Sequence, residues 1–555
     1  MKLTFKKRPR GSDAFWNSIT WILLILVAFF LVYPFAGLLL RSFFAVDTGK
    51  PSLQNYKQFF GFAYYFNTLL HSFAVSTLTT IFAVILGVPM AYIVTRYNIA
   101  GKKLLRMMII ISLLSPPFIG AYSWIMLLGR NGFITKILAG IGLQIPTIYG
   151  FKGLLLVFTL KLFPYVFLYV SGALGSIDGS LEEAAESLGM HGIKRLLTVT
   201  FPLILPTIAA SSVMVFMTSL ADLGTPMLIG EGYKVLPVLV YEEYMSEIGG
   251  NAAMASTLSV IIVASSLAIF FIQKLIVGKK NVSMNGTRPT APKKLSSINR
   301  ILLTAACYLV ALCAIAPQIT TIITSFIKTR GPLFVKGFSL ESYTSIWFKL
   351  SDNISHTFLY GIVAIAIMIV IGMLSSYVIV RRQSRITSLL DTALMSPYVI
   401  PGAVLGISLV IAFNKPPLIL TGTAAIMILS YVIRKMPSIL RSSSAILYQL
   451  DPSVDEASIS LGVSPIMTFF KITAVMMLPG VASGAILSWI STINELSSTL
   501  ILYSGRTGTI SVAIYTEIFK DSFGTAAALA SLLTLATIVS LLIFDKLTKG
   551  KGSIV

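Results

Sequence analysis

Ionisable side chains are scarce in this sequence, and the few that gather define the chemistry open to it. Residues 182–206 read EEAAESLGMHGIKRLLTVTFPLILP, which places Glu182, Glu183 and Glu186 close to Lys194 and Arg195. Carboxylates at this density can pair with Arg or Lys. Lys161 and Asp222 recur 273 residues later as Arg434 and Glu495, so a cation and a carboxylate appear together in both parts. A third group, Tyr241, Glu242, Glu243 and Tyr244, followed by Glu247, collects oxygen donors suited to a protein partner or a hard cation. The segment could equally be an amphipathic helix lying at a membrane surface. His71, His191 and His356 are scattered, so no metal cage and no nucleophile with its base is expected. No G-x-x-x-x-G-K-[ST] phosphate loop occurs, and the chain is expected to bind no cofactor.

The elements that must position these groups are apolar. Of 555 residues, 55% are hydrophobic and 12% charged, with mean hydropathy +0.85, where a soluble chain carries roughly a quarter charged residues. This composition predicts an all-α polytopic membrane protein. Net charge +22 does not imply nucleic acid, because the basic residues sit in short segments between apolar runs. Cys307 and Cys313 share one apolar run, so no disulfide framework is expected. The run from Ser18 to Leu40 is too long for a signal-peptide core and reads as a first, retained span.

About 12 transmembrane helices fit, near 17–41, 63–95, 107–129, 150–175, 202–230, 251–277, 301–327, 356–380, 389–413, 418–445, 476–503 and 523–545. With the N-terminus inside, the inner segments carry 24 Lys and Arg against 12 in the outer loops, so both termini are expected in the cytoplasm. Residues 279–300 are polar, basic and rich in Pro, Ser and Asn, a linker between halves 1–278 and 301–555. At the 273-residue offset Pro164 matches Pro437, Asp178 matches Asp451, Gly189 matches Gly462, Pro206 matches Pro479 and Asp222 matches Glu495. Six-span halves joined by an inner loop share one orientation, which makes them parallel repeats.

In both halves the polar island reads as a short helix on the inner side. Ser180 with Glu183, and Ser453 with Glu456, have capping-box spacing. Acidic residues suit the first turn, and Gly189 and Gly462 suit a left-handed stop. Ser464-Pro465 restarts a helix in the second copy.

These residues carry a resemblance. Glu183-Ala184-Ala185, Gly189 and Pro202 are similar to the EAA loop of binding-protein-dependent ABC-transporter permeases. The second copy keeps Glu456, Ala457 and Gly462, with Ser458 for the second Ala and Val475 for the first proline. The resemblance implies a type I ABC importer permease fold. It also implies that the loops at 180–206 and 453–479 are coupling helices docking cytoplasmic ATPase subunits through Glu182, Glu183, Ala184, Ala185, Gly189, Asp455, Glu456, Ala457 and Gly462. ATP and Mg would then belong to two copies of that separate ATPase. An extracytoplasmic binding protein would deliver substrate, with docking expected at Tyr241, Glu242, Glu243 and Tyr244.

The fused two-half architecture, with Ser115-Pro116-Pro117 and Ser396-Pro397-Tyr398, resembles the ferric-iron permease branch of the bacterial inner membrane. Thiamine, phosphonate or polyamine are the alternative cargoes. Lys161, Asp222, Arg434 and Glu495 are candidates to line or gate the pathway, since charges within spans mark function. The alternative is that Lys161 snorkels and Asp222 lies beyond the span end. An ion-coupled secondary transporter is the competing class; it would use Asp222 and Glu495 but leave the duplicated inner helices without a role. A membrane-embedded enzyme would need a catalytic cluster that is not present.

Overall fold

The computed structural model describes residues 10–44, 50–113, 117–246, 250–277, 293, 295–330 and 333–547. Most of the expected linker lies outside the described residues, as do the chain ends, Ser115, Pro116 and Glu247. The fold is helical, with one short antiparallel hairpin of Ile327–Arg330 and Leu333–Phe338.

Among the described residues nine helices are long and apolar enough to span a membrane, and one bent pair makes a tenth. The shortfall from twelve has local causes. The span expected at 107–129 falls on Lys102–Leu113 and Pro117–Leu128, each 12 residues long; either alone covers only about 18 Å of a roughly 30 Å core. The span expected at 389–413 is bent by 113° between Arg385–Tyr398 and Gly402–Phe413, with Pro401 at the break and no amide hydrogen to continue a ladder. Ala424–Gln449 forms as a 26-residue helix, but Arg434, Lys435 and Arg441 reduce its apolar character. The spans expected at 202–230 and 476–503 stop early, at Ala221 and Ile493.

The repeat is visible in the order of elements. Phe151–Ser176, Gly179–Ser187, Gly192–Arg195 and Phe201–Ala221 are followed in the second half by Ala424–Gln449, Ser453–Ser460, Pro465–Thr468 and Ala474–Ile493. Both copies widen into a π-helical turn at the same offset, Leu196–Thr200 and Phe469–Thr473. Each half also packs a glycine against its central helix. A Cβ on Gly87 would lie 2.7 Å from Val166 Cβ, and one on Gly372 would lie 2.6 Å from Ile439 Cγ2. Without a hydrophobic drive between helices in lipid, such close backbone approach is a main source of helix association.

Two compact units cut across the two sequence halves. One comprises residues 1–41, 350–513 and 535–554; the other comprises 42–349 and 514–534, with residue 555. The first unit includes the N-terminal span because Trp16, Leu23, Leu31 and Leu38 are buried, and Trp16 sits against Tyr377 and Phe469. The second includes Ser297–Ser325, where Gln318 Nε2 donates to Ser112 O at 3.3 Å and Ser123 Oγ meets Thr321 Oγ1 at 2.5 Å.

Candidate functional site

Both short helices are built alike. Gly179–Ser187 begins after Asp178, whose Oδ1 accepts from Ser180 N at 3.0 Å. Ser453–Ser460 begins after Pro452, and Asp451 Oδ1 accepts from Ser453 N at 2.8 Å. The caps are therefore Asp178 and Asp451, two residues upstream of the expected Ser180 and Ser453. Ser180 and Ser453 lie inside the first turn, where their amides are the donors that an upstream carboxylate satisfies. That bond, chiefly from the Ser453 backbone, holds the Asp451 carboxyl below the usual carboxylate range. Both helices stop at left-handed glycines as expected, Gly189 at φ 77° and Gly462 at φ 88°. Ser464 caps the restart, accepting from Met467 N at 3.3 Å.

The carboxylates then divide by direction. Glu182 is 4% exposed, with Oε1 at 2.6 Å from Arg96 Nη2 and Oε2 at 3.7 Å from Arg195 Nη2. Its counterpart Asp455 lies with Oδ2 at 3.5 Å from Arg381 Nε, and Oδ1 accepts from Thr473 Oγ1 at 2.6 Å. Arg96 and Arg381 are the last residues of the helices Ala63–Arg96 and Ser351–Arg381, so each short helix is tied to the end of a long span. Glu186 bonds Arg195 and, at 2.7 Å, Lys293 Nζ; Lys293, with Arg195 adding, holds its carboxyl below the usual range.

Glu183 and Glu456 face the other way. Both are exposed, as are Ala184 and Ala457, while Ala185 and its counterpart Ser458 are buried. Ser458 replaces alanine without an orphaned hydroxyl because Oγ meets Thr468 Oγ1 at 2.9 Å. Beside the exposed carboxylates stand Leu188, 78% exposed, and Leu461, 85% exposed. Sequence reasoning missed the two anchoring arginines. Their signal was position: each is the cation that ends the second span of its half.

The second pair of candidates is also brought together. Lys161 Nζ lies 2.5 Å from Asp222 Oδ2, and Asp222 Oδ1 accepts from Thr225 N at 2.9 Å. Arg434 Nη1 lies 3.0 Å from Glu495 Oε1, and Lys435 Nζ lies 2.7 Å from Oε2. In each half the carboxylate stands where the helix after the short loop has just ended, at Ala221 and at Ile493. The halves differ in charge. Leu162 stands where the second half has Lys435, so one carboxylate faces a single cation and the other faces two. A Cβ on Gly402 would fall 1.4 Å from Arg434 Nη1, so this guanidinium occupies the space a side chain there would need.

Tyr241, Glu242, Glu243 and Tyr244 lie on Leu236–Met245. Glu243 Oε1 accepts from Tyr65 Oη at 2.9 Å, and Glu242 Oε2 from Lys234 Nζ at 2.6 Å. Both carboxylates are thus committed to their own chain rather than left as open ligands. Among the described residues no three of His, Cys, Asp and Glu come together as a metal site. His71 and His356 play matching packing roles, with Nδ1 at 3.0 Å from Lys234 O and at 3.1 Å from Gly508 O. His191 stands at the start of Gly192–Arg195.

Each half thus carries a short capped helix anchored to the end of a long span. The chain belongs to the binding-protein-dependent transport system inner membrane component family, which matches residues 83–281 and again 368–551. It is a multi-pass inner-membrane permease of the ABC type. It is 28% identical to the ferric transport system permease protein FbpB of Actinobacillus pleuropneumoniae over 550 residues, 97% of this chain and 79% of the relative. The Fe(3+)-transport system permease protein FbpB 2 of Haemophilus influenzae is 25% identical over 470 residues, 84% of this chain and 87% of the relative. The molybdenum transport system permease protein ModB of Escherichia coli is similar over a smaller part, 31% identical over 156 residues, 28% of this chain and 68% of the relative.

Proposed function

We propose that this chain is the membrane subunit of a ferric-iron importer, driven by two copies of a cytoplasmic ATPase and supplied by an extracytoplasmic binding protein. The observation that carries the ATPase reading is the repeated presentation of an exposed carboxylate and an exposed leucine, Glu183 with Leu188 and Glu456 with Leu461, on helices anchored from behind. A leucine in water has an area to bury, and a carboxylate beside it can take an Arg or Lys of the partner. The anchors at Arg96 and Arg381 then transmit movement of the docked subunit into the spans. In this reading both chain ends face the cytoplasm and ATP and Mg bind only the partner.

Ferric iron is supported by the names of the relatives that span most of the chain. The cargo crosses as substrate and is not held by a resident metal cage. The binding protein meets the opposite end of the spans, with the Tyr241 to Tyr244 turn among its contacts. Lys161–Asp222 and the Arg434–Glu495–Lys435 cluster act as paired latches on the pathway.

The deciding experiment is reconstitution. The purified chain, a co-purifying ATPase and a binding protein loaded with radioactive ferric iron should give uptake that needs ATP, with two ATPase copies per permease. Uptake driven by a proton or sodium gradient alone would overturn the ATP-driven reading. ATP-dependent uptake of thiamine, phosphonate, polyamine or molybdate in place of iron would keep the machinery and overturn the cargo.

A further inference from the structure

Two cavities in the first compact unit are lined by different residues of the same three helices. One, of about 700 Å³, has polar and cationic side chains in its lining, which includes Asn17, Thr20, Trp21, Arg381, Arg382 and Thr387. The other, of about 550 Å³, has an entirely aliphatic and aromatic lining apart from Pro397 and Met436, and includes Leu23, Val27, Ile371, Leu394 and Ala425. Three helices run along both. On Arg10–Val27 the lining passes from Trp21 to Leu23 and Val27; on Ser351–Arg381 from Arg381 back to Ile371; on Arg385–Met395 from Thr387 to Leu394.

At helix rise, Arg381 to Ile371 is about 15 Å and Thr387 to Leu394 about 10 Å. One leaflet of a bilayer core is about 15 Å deep. Taken together as one trough along these helices, the two cavities give a cationic head and an apolar body about half a bilayer apart. The head is held in place: Arg381 Nε lies 3.5 Å from Asp455 Oδ2 and its Nη2 donates to Leu450 O at 2.8 Å, while the Arg382 guanidinium, 5.8 Å over the Trp16 ring, adds a second positive charge. In water an apolar cavity of this size would remain dry; in a membrane, hydrocarbon chains are what surrounds it.

We propose that this trough holds one anionic phospholipid of the bilayer, with its phosphate at Arg381 and Arg382 and one acyl chain along Leu23, Val27, Ile371 and Met436. Charge complementarity selects the anionic headgroup, and the all-apolar body selects a lipid over a free phosphate ester. The site needs no partner subunit.

The test uses the full-length chain in detergent, titrated with palmitoyl-oleoyl phosphatidylglycerol or phosphatidylcholine and read by native mass spectrometry. One phosphatidylglycerol should be retained with about tenfold preference, as expected for cations beside an anionic headgroup. Arg382→Gln should remove most of that preference. Ala425→Trp, which fills the apolar body, should lower retention of both lipids about fivefold; Ile428→Phe serves the same purpose if that variant does not elute as a folded species. Equal retention of the two lipids by the unaltered chain would overturn the proposal. Displacement of the lipid by glycerol phosphate, or retention that ignores both cavity-filling variants, would overturn it in favour of a phosphate site without an acyl chain.

Discussion

Glu182 and Glu183 are adjacent in sequence and face opposite ways: Glu182 is buried against Arg96, while Glu183 stands exposed. The same division separates Asp455 from Glu456. One carboxylate of each pair fastens the helix, and the other is exposed.

The two roles give opposite phenotypes. Glu183→Lys combined with Glu456→Lys should abolish co-purification of the ATPase while leaving the detergent melting temperature of the permease nearly unchanged. Glu182→Gln should lower that melting temperature, because it leaves Arg96 buried without its charge partner, at a cost of about 3 kcal/mol. A melting profile that falls only in the double variant would reverse the assignment.

The latches should respond unequally. Glu495 faces Arg434 and Lys435, whereas Asp222 faces Lys161 alone. Glu495→Gln should therefore reduce uptake in proteoliposomes more than Asp222→Asn, and the double variant should still insert and elute as a monodisperse species. Normal uptake by the double variant would remove these residues from the pathway.

Gly402 offers an independent approach to the same cluster. Gly402→Ala places a methyl where Arg434 Nη1 now lies, so it should reproduce the uptake defect of Arg434→Ala without touching a charge. Ala at the neighbouring position is already native, as Ala403, so helix propensity is not the cause of any loss.

Acid should release Glu186 late. Lys293 holds its carboxyl below the usual range, so the folded value is depressed relative to the unfolded one. The contribution of the contact is then complete above the unfolded value of roughly 4.3 and is lost only as pH falls through the lower folded value. Carbon-detected NMR of labelled glutamate should find Glu186 titrating below the ordinary glutamate range, and Lys293→Ala should move it upward.

Much of this architecture could be read from residue order alone. The repeat rested on five matches in one register, and the glycine stops at 189 and 462 followed from needing a left-handed residue where a helix ends. The joint recurrence of Lys161 and Asp222 marked them as candidates to line or gate the pathway, and only folded geometry shows the two side chains in contact. Other features depended on tertiary competition. Asp178 displaced Ser180 as cap because its carboxylate reaches the amide, which spacing rules do not weigh. Arg96 reads like any inner-loop cation in the sequence, because a separation of 86 positions hides its contact with Glu182. The bent 385–413 segment was hidden because hydropathy averages over a break.

The place of the N-terminal helix has a consequence for synthesis. Trp16 and Leu23 are buried in a unit whose remaining residues begin at Leu350. The ribosome makes the helix first and its neighbours more than 300 residues later, a delay of about 15–60 s at 5–20 residues per second. During that interval the helix waits in the bilayer with its future contact face turned to lipid. A truncation that ends before residue 350 should leave this helix inserted yet accessible to cross-linking by its bilayer neighbours, and completion of the chain should close it off.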